Sequence, residues 1–102
     1  MVINLTSENF ETEIKNFEGT CLVDMYADWC EPCQMMAPIV ESLSEEGLPN
    51  VKFGKVNIDD YPELAAEFGV EVIPTLLVIK GGQEVNRIVG VTDINELREA
   101  LR

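Results

Sequence analysis

Cys30 and Cys33, separated only by Glu31 and Pro32, have the spacing of a dithiol that can open and close a disulfide. They follow an apolar, β-prone run, Cys21 to Tyr26, and open a helical pattern. That context says more than the CxxC spacing alone. A helix start presents unpaired N–H groups and the positive end of the helix dipole. A thiolate held there is stabilised, so its pKa falls and it can act as a nucleophile near neutral pH. In this geometry the first cysteine is the exposed one and the second lies one turn in. Cys30 is therefore expected to attack a disulfide and form a mixed disulfide. Cys33 then displaces the product and leaves Cys30–Cys33 oxidised.

Other uses of the pair fit less well. A purely structural disulfide across so short a loop removes little entropy from the unfolded chain. A structural zinc site takes four ligands, and the chain has neither a second CxxC nor any histidine. No metal is expected. An inert core pair fits poorly beside Trp29, Glu31 and Pro32, which suit an exposed turn.

The absence of histidine removes Ser/His, Cys/His and His–metal chemistry. Another base is required. Asp24 interrupts the apolar run of Cys21 to Tyr26. Burying a carboxylate there costs several kcal/mol unless it is paired or protonated, and desolvation raises its pKa. At an edge position Asp24 would instead face solvent. Cys21 has no CxxC partner and reads as a small core residue. Met25, Met35 and Met36 read as packing.

The elements that must hold these residues alternate between strand and helix. Val2 to Leu5 is a short strand. Thr6 or Ser7 caps a helix in which Phe10, Ile14 and Phe17 form one apolar stripe, and Gly19 ends that region. Cys21 to Tyr26 reads as a central strand covered on both faces. Met36, Ile39, Val40 and Leu43 give the helix after Cys33 its buried face, and Gly47 stops it. Pro38 lies inside that helix, forfeits the bond to the Gln34 carbonyl and should kink it. Val51 to Ile58 is a strand, and Pro62 suits the first turn of a short helix with Leu64 and Phe68 inward. Gly69 stops that helix. Thr75 to Ile79, a Gly81-Gly82 turn and Glu84 to Val89 form an antiparallel hairpin. Asp93 and Glu96 have capping-box spacing ahead of Ile94, Leu97 and Leu101. The order βαβαβαββα predicts an α/β domain with a mixed sheet and helices on both faces.

The chain has 102 residues, which suits one domain spanning 1–102. Its formal net charge is −12. That charge disfavours nucleic acid and anionic membranes, supports solubility and permits neutral or basic protein partners. The opening MVINLTSENF lacks a basic start and an apolar run, and no stretch is long enough to span a bilayer. A cytoplasmic location is expected, and there a close cysteine pair is more often catalytic or metal-binding than structural.

The whole chain resembles the thioredoxin family. VDMYADWCEPCQMMAPIVESL is similar to the family's second strand, active site and kinked helix, KVNIDDYPELAAEFGVEVIPTLLVIKGG to its central portion, and VNRIVGV to its closing strand. The resemblance implies a thioredoxin fold with a mixed five-stranded sheet and four flanking helices. It implies a monomeric thiol–disulfide oxidoreductase that reduces protein disulfides without a bound cofactor and is recharged by a thioredoxin-reductase-type electron donor. Asp24 matches the family's buried aspartate, which helps move the proton of the resolving thiol, and Lys55 matches that aspartate's lysine partner. Ile73-Pro74-Thr75 matches the loop whose cis-proline faces the cysteines, where the backbone of Ile73 could pair with an extended substrate. Gly90 and Val91 match the loop that completes the contact surface. Trp29, the one tryptophan, would add flat apolar contact beside the thiol.

The chain departs from the pattern at a few places. Most thioredoxins have glycine where Glu31 stands, and many have lysine where Gln34 stands. With Asp28 also near, these changes disfavour the thiolate and should raise the Cys30 pKa relative to a Gly/Lys version. Glu31 and Pro32 thus tune the redox pair. Tyr26 replaces the family's tryptophan two residues after Asp24. Two other functions compete with a general reductant: a dedicated reductant for one enzyme, and a binding module whose redox state is irrelevant.

Overall fold

The computed structural model describes residues 1–102. Strand β1 (Val2–Asn4) leads to a π-helical turn (Glu11–Lys15), then β2 (Thr20–Tyr26), α1 (Glu31–Ser44) and β3 (Val51–Asn57). Helix α2 (Pro62–Glu67), β4 (Thr75–Lys80), β5 (Gln83–Val89) and α3 (Ile94–Ala100) follow. The strands form one sheet in the order β1-β3-β2-β4-β5. Strand β3 runs parallel to β1 and β2, and β4 runs antiparallel to β2 and β5. The sheet is therefore mixed, as the strand–helix order predicts.

Side chains alternate across β2 and divide the core into two layers. Cys21, Val23 and Met25 face Phe10, Ile14 and Leu64. Leu22 faces the other way, toward Met36, Val40 and Leu43 of α1 and Leu97 of α3. Asp24 shares the parity of Leu22, which places it under α1. The sequence leaves an edge position for Asp24 open; β2 is in fact the middle strand, and Asp24 is buried.

The first helix differs from expectation in type. Thr6 Oγ1 accepts from the N–H groups of Glu8 and Asn9, and Asn9 Oδ1 accepts from Thr6 N–H at 2.7 Å. This reciprocal cap starts the segment as expected. The ladder then widens, because Asn16 N–H reaches back to the Glu11 carbonyl, five residues away. Phe10 and Ile14 remain buried all the same. At α3, Asp93 Oδ1 accepts from Glu96 N–H at 3.0 Å, as the capping spacing predicts.

Candidate active site

The redox pair sits where β2 hands the chain to α1. Cys30 is the N-cap of α1, with extended backbone at φ −92° and ψ 109°. Pro32 lies in the first turn, where its missing N–H costs no helical bond. One of the orphan donors of that turn, Cys33 N–H, points at Cys30 Sγ at 3.3 Å. The cap acceptor is thus the sulfur itself, so the helix start stabilises negative charge on Cys30 directly.

Cys30 and Cys33 are joined as a disulfide, with Cα atoms 5.2 Å apart. The expectation that Cys30 is exposed is not met in this oxidised state: it is only 5% exposed, nearly as buried as Cys33. Both sulfurs pack with Ala27, under Tyr26, Ile58 and Ile73. Cys30 Sγ lies 3.9 Å from the carbonyl oxygen of Ile73, a distance at which the thiol could donate. Cys21 is the one cysteine outside the pair and is buried. Burial pushes its thiol up to about 11, against a smaller opposing pull from Lys52, so it is inert near neutral pH.

The Ile73–Pro74 peptide is cis, as the resemblance implies. Thr75 Oγ1 donates to the Val72 carbonyl at 2.6 Å and braces the same loop. Gly90 N–H donates to the Pro74 carbonyl at 2.9 Å and holds φ +88°. Thr92 N–H lies 3.3 Å from Met36 Sδ, which ties the following residues to α1. The loops at 73–75 and 90–92 are thereby bound to each other and to the helix that carries the cysteines.

Trp29 and Val91 stand out into solvent, 68% and 50% exposed. Val72, which the sequence did not single out, is 56% exposed beside Ile73. Asp59 was missed as well: its Oδ2 accepts from the Trp29 indole Nε1–H at 2.8 Å. No spacing signal joins residues so far apart in the chain. Met35, expected as packing, is exposed, because it lies on the outer side of α1, away from Met36. Gln34 donates from Nε2 to the Asp28 carbonyl at 2.8 Å and closes the turn before the cysteines.

Asp24 is 4% exposed, and its Oδ1 has no hydrogen-bond partner. Burial pushes its carboxyl up to about 7, with Lys55 pulling weakly the other way. Lys55 is its direct neighbour across the β2–β3 pairing. The two line an open cleft of about 280 Å³ with Ala37, Pro38, Val40 and Glu41 of α1. They do not form an ion pair; Lys55 Nζ lies over the Tyr26 ring, 5.9 Å from its centroid. The structure thus brings Asp24 and Lys55 together as neighbours in one cleft, without an ion pair.

A mixed α/β sheet that presents a CxxC disulfide at a helix start, facing a cis-proline loop, defines a thiol–disulfide oxidoreductase. Comparison with known proteins agrees. The thioredoxin family model matches residues 1–102. Thioredoxin of Chlamydia caviae is 46% identical over 97 residues, covering 95% of this chain and 92% of that protein. Thioredoxin of Chlamydia pneumoniae is 47% identical over 93 residues, covering 91% and 88%. Thioredoxin of Porphyra purpurea is 38% identical over 100 residues, covering 98% and 94%. The chain belongs to the thioredoxin family.

Proposed function

We propose that the chain, one thioredoxin unit over residues 1–102, reduces disulfides in partner proteins and is recharged by a thioredoxin-reductase-type donor. The observation that carries this reading is the Cys33 N–H directed at Cys30 Sγ at 3.3 Å. In the reduced protein that donor stabilises a Cys30 thiolate. The thiolate attacks one sulfur of the substrate disulfide. A Cys30–substrate S–S bond forms, the substrate S–S bond breaks, and the second substrate sulfur leaves as a thiolate that takes a proton from water. Cys33 then gives its proton to Asp24 and attacks Cys30 Sγ. The mixed disulfide breaks, the first substrate sulfur leaves with a proton, and Cys30–Cys33 remains. The substrate gains two electrons and two protons. The donor returns both electrons to the pair, so no bound cofactor enters the cycle.

Asp24 suits proton transfer because a group titrating near 7 can accept and release a proton at neutral pH. Lys55 moderates that titration from the same cleft. Trp29, Ile73, Gly90 and Val91 form the surface on which the substrate lies, with Pro74, itself buried, holding the loop and the Ile73 backbone open to an extended segment. Glu31 and Pro32 set the potential of the pair. A monomer in a reducing, cytoplasmic setting suits a working dithiol, since thiols stay reduced there, and the exposed apolar side chains Trp29, Val72 and Val91 are left for the partner protein.

The deciding experiment is reduction of a generic protein disulfide by wild type and Cys30→Ser, driven first by dithiothreitol and then by a general reductase. Turnover that depends on Cys30 with both donors is expected. No Cys30-dependent turnover would sink the oxidoreductase reading in favour of a binding module. Turnover with dithiothreitol alone would point to a dedicated partner.

A further inference from the structure

We infer that the disulfides this protein reduces best lie in partner segments with Lys or Arg beside the scissile cysteine; the inference rests on the reading above and names its substrate class. The contact surface is apolar at its centre, with Trp29, Val72 and Val91 exposed. Its rim is acidic. Asp28 and Glu31 adjoin Trp29 and Cys30 in the chain, Asp59 accepts from Trp29, Asp60 follows Asp59 and Glu71 precedes Val72. All five are exposed, and none takes part in an ion pair.

The cations of the chain are held elsewhere. Lys15, Lys52, Arg87, Arg98 and Arg102 pair with Glu67, Glu13, Glu84, Glu46 and Glu99. Lys80 donates to the Arg102 carbonyl, and Lys55 lies in the Asp24 cleft. Segments 27–34, 57–61, 71–75 and 89–93, which build the contact face, contain no Lys or Arg. The rim charge is therefore uncompensated by the protein and is left for a partner to meet.

Charge of one sign around a recognition surface favours partners of the other sign and repels like-charged ones. A basic side chain suits this face in a second way. Its alkyl stem packs on apolar surface while its charged end reaches the rim, and a cation over an indole gains further attraction. Asp59 holds the Trp29 indole by its N–H and leaves the ring face open to such contact. Glu31, one residue from Cys30, places the charge preference beside the reacting sulfur.

The test uses two peptides with the same single disulfide and length, one flanked by Lys and Arg, the other by Glu. Each rate is divided by that peptide's rate with dithiothreitol, which removes the intrinsic reactivity of its disulfide. The basic peptide is expected to show about tenfold higher normalised kcat/KM at low ionic strength. That ratio should close toward one at about 1 M salt, where charges are screened over about 3 Å. It should also shrink in Asp60→Asn/Glu71→Gln, which touches neither cysteine. A ratio near one at low salt, or one indifferent to salt or to the double variant, overturns the inference. If Cys30-dependent turnover of the generic protein disulfide persists in that case, the oxidoreductase reading stands. If that turnover is absent too, both fall.

Discussion

The indole Nε1–H of Trp29 donates to Asp59 Oδ2 at 2.8 Å across 30 positions of sequence. The bond fixes the orientation of the largest exposed apolar side chain beside the redox pair. Asp59→Ala should free the ring and lower kcat/KM for protein disulfides about fivefold, the usual net worth of one such hydrogen bond. Asp59→Asn keeps an acceptor oxygen and should lose less. Steady-state reduction rates and the anisotropy of the single tryptophan together check this. A freely mobile indole with unchanged rates would separate ring orientation from activity.

Asp24 makes stability depend on pH in an unusual direction for a carboxylate. Its ordinary value is 3.8, and burial pushes it up to about 7 in the folded protein. Between those values the folded state holds the proton and the unfolded chain does not. The contribution of Asp24 to stability should therefore be greatest below pH of about 4, fall as pH rises through about 7, and level off above it. Asp24→Asn removes the buried charge and should be more stable than wild type above neutrality, by at most about 4 kcal/mol. The difference should shrink on acidification. Urea unfolding of the oxidised proteins across that range measures it. If Asp24, the one buried carboxylate, takes the proton of Cys33 as proposed, the same variant should slow release from the mixed disulfide.

Glu31 occupies the first position of α1, next to Cys30. Its negative charge opposes the thiolate that the helix start favours. Glu31→Gly and Glu31→Gln should both lower the Cys30 pKa in a thiol titration. The Gln variant separates charge from backbone freedom, because glycine at that position alters both. An unchanged or higher value in both variants would mean that the local charge does not govern the thiol.

Gly90 holds φ +88°, and a Cβ built there meets nothing within 4 Å. Gly90→Ala thus suffers backbone strain and no clash, a cost of about 1–2 kcal/mol. For a domain of this size that lowers Tm by about 4–8 °C per kcal/mol. The strain falls on the residue whose N–H holds the Pro74 carbonyl, so the variant should also raise KM for protein substrates. Calorimetry and steady-state kinetics read the two effects separately.

Much of the fold is legible in short stretches of sequence because its signals act over a few residues. The Thr6–Asn9 cap, the apolar stripe of α1 and the hairpin at Gly81-Gly82 each follow from local patterns. Strand limits read from pattern agree with the structure within one residue. The π-helical turn at Glu11–Lys15 was not legible, since Phe10 and Ile14 turn inward with either helix type. The burial of Cys30 was also missed. Its chain position says helix start, but its cover comes from Tyr26, Ile58 and Ile73 on three separate segments.

By itself the sequence determined the order of elements and the placement of a cysteine pair at a helix start. It also determined that, with no histidine, any proton acceptor for that pair had to be another residue type. These follow from periodicity, capping and composition, which need no partner far along the chain. Only the tertiary structure decided that β2 is the middle strand, and so that Asp24 is desolvated beside Lys55 under α1. Only it decided that Asp59 holds Trp29, and that the five cations in ion pairs are held by glutamates other than Glu31 and Glu71. Desolvation and charge grouping depend on which distant segments meet. Strand order and helix packing set those meetings, and no local pattern encodes them.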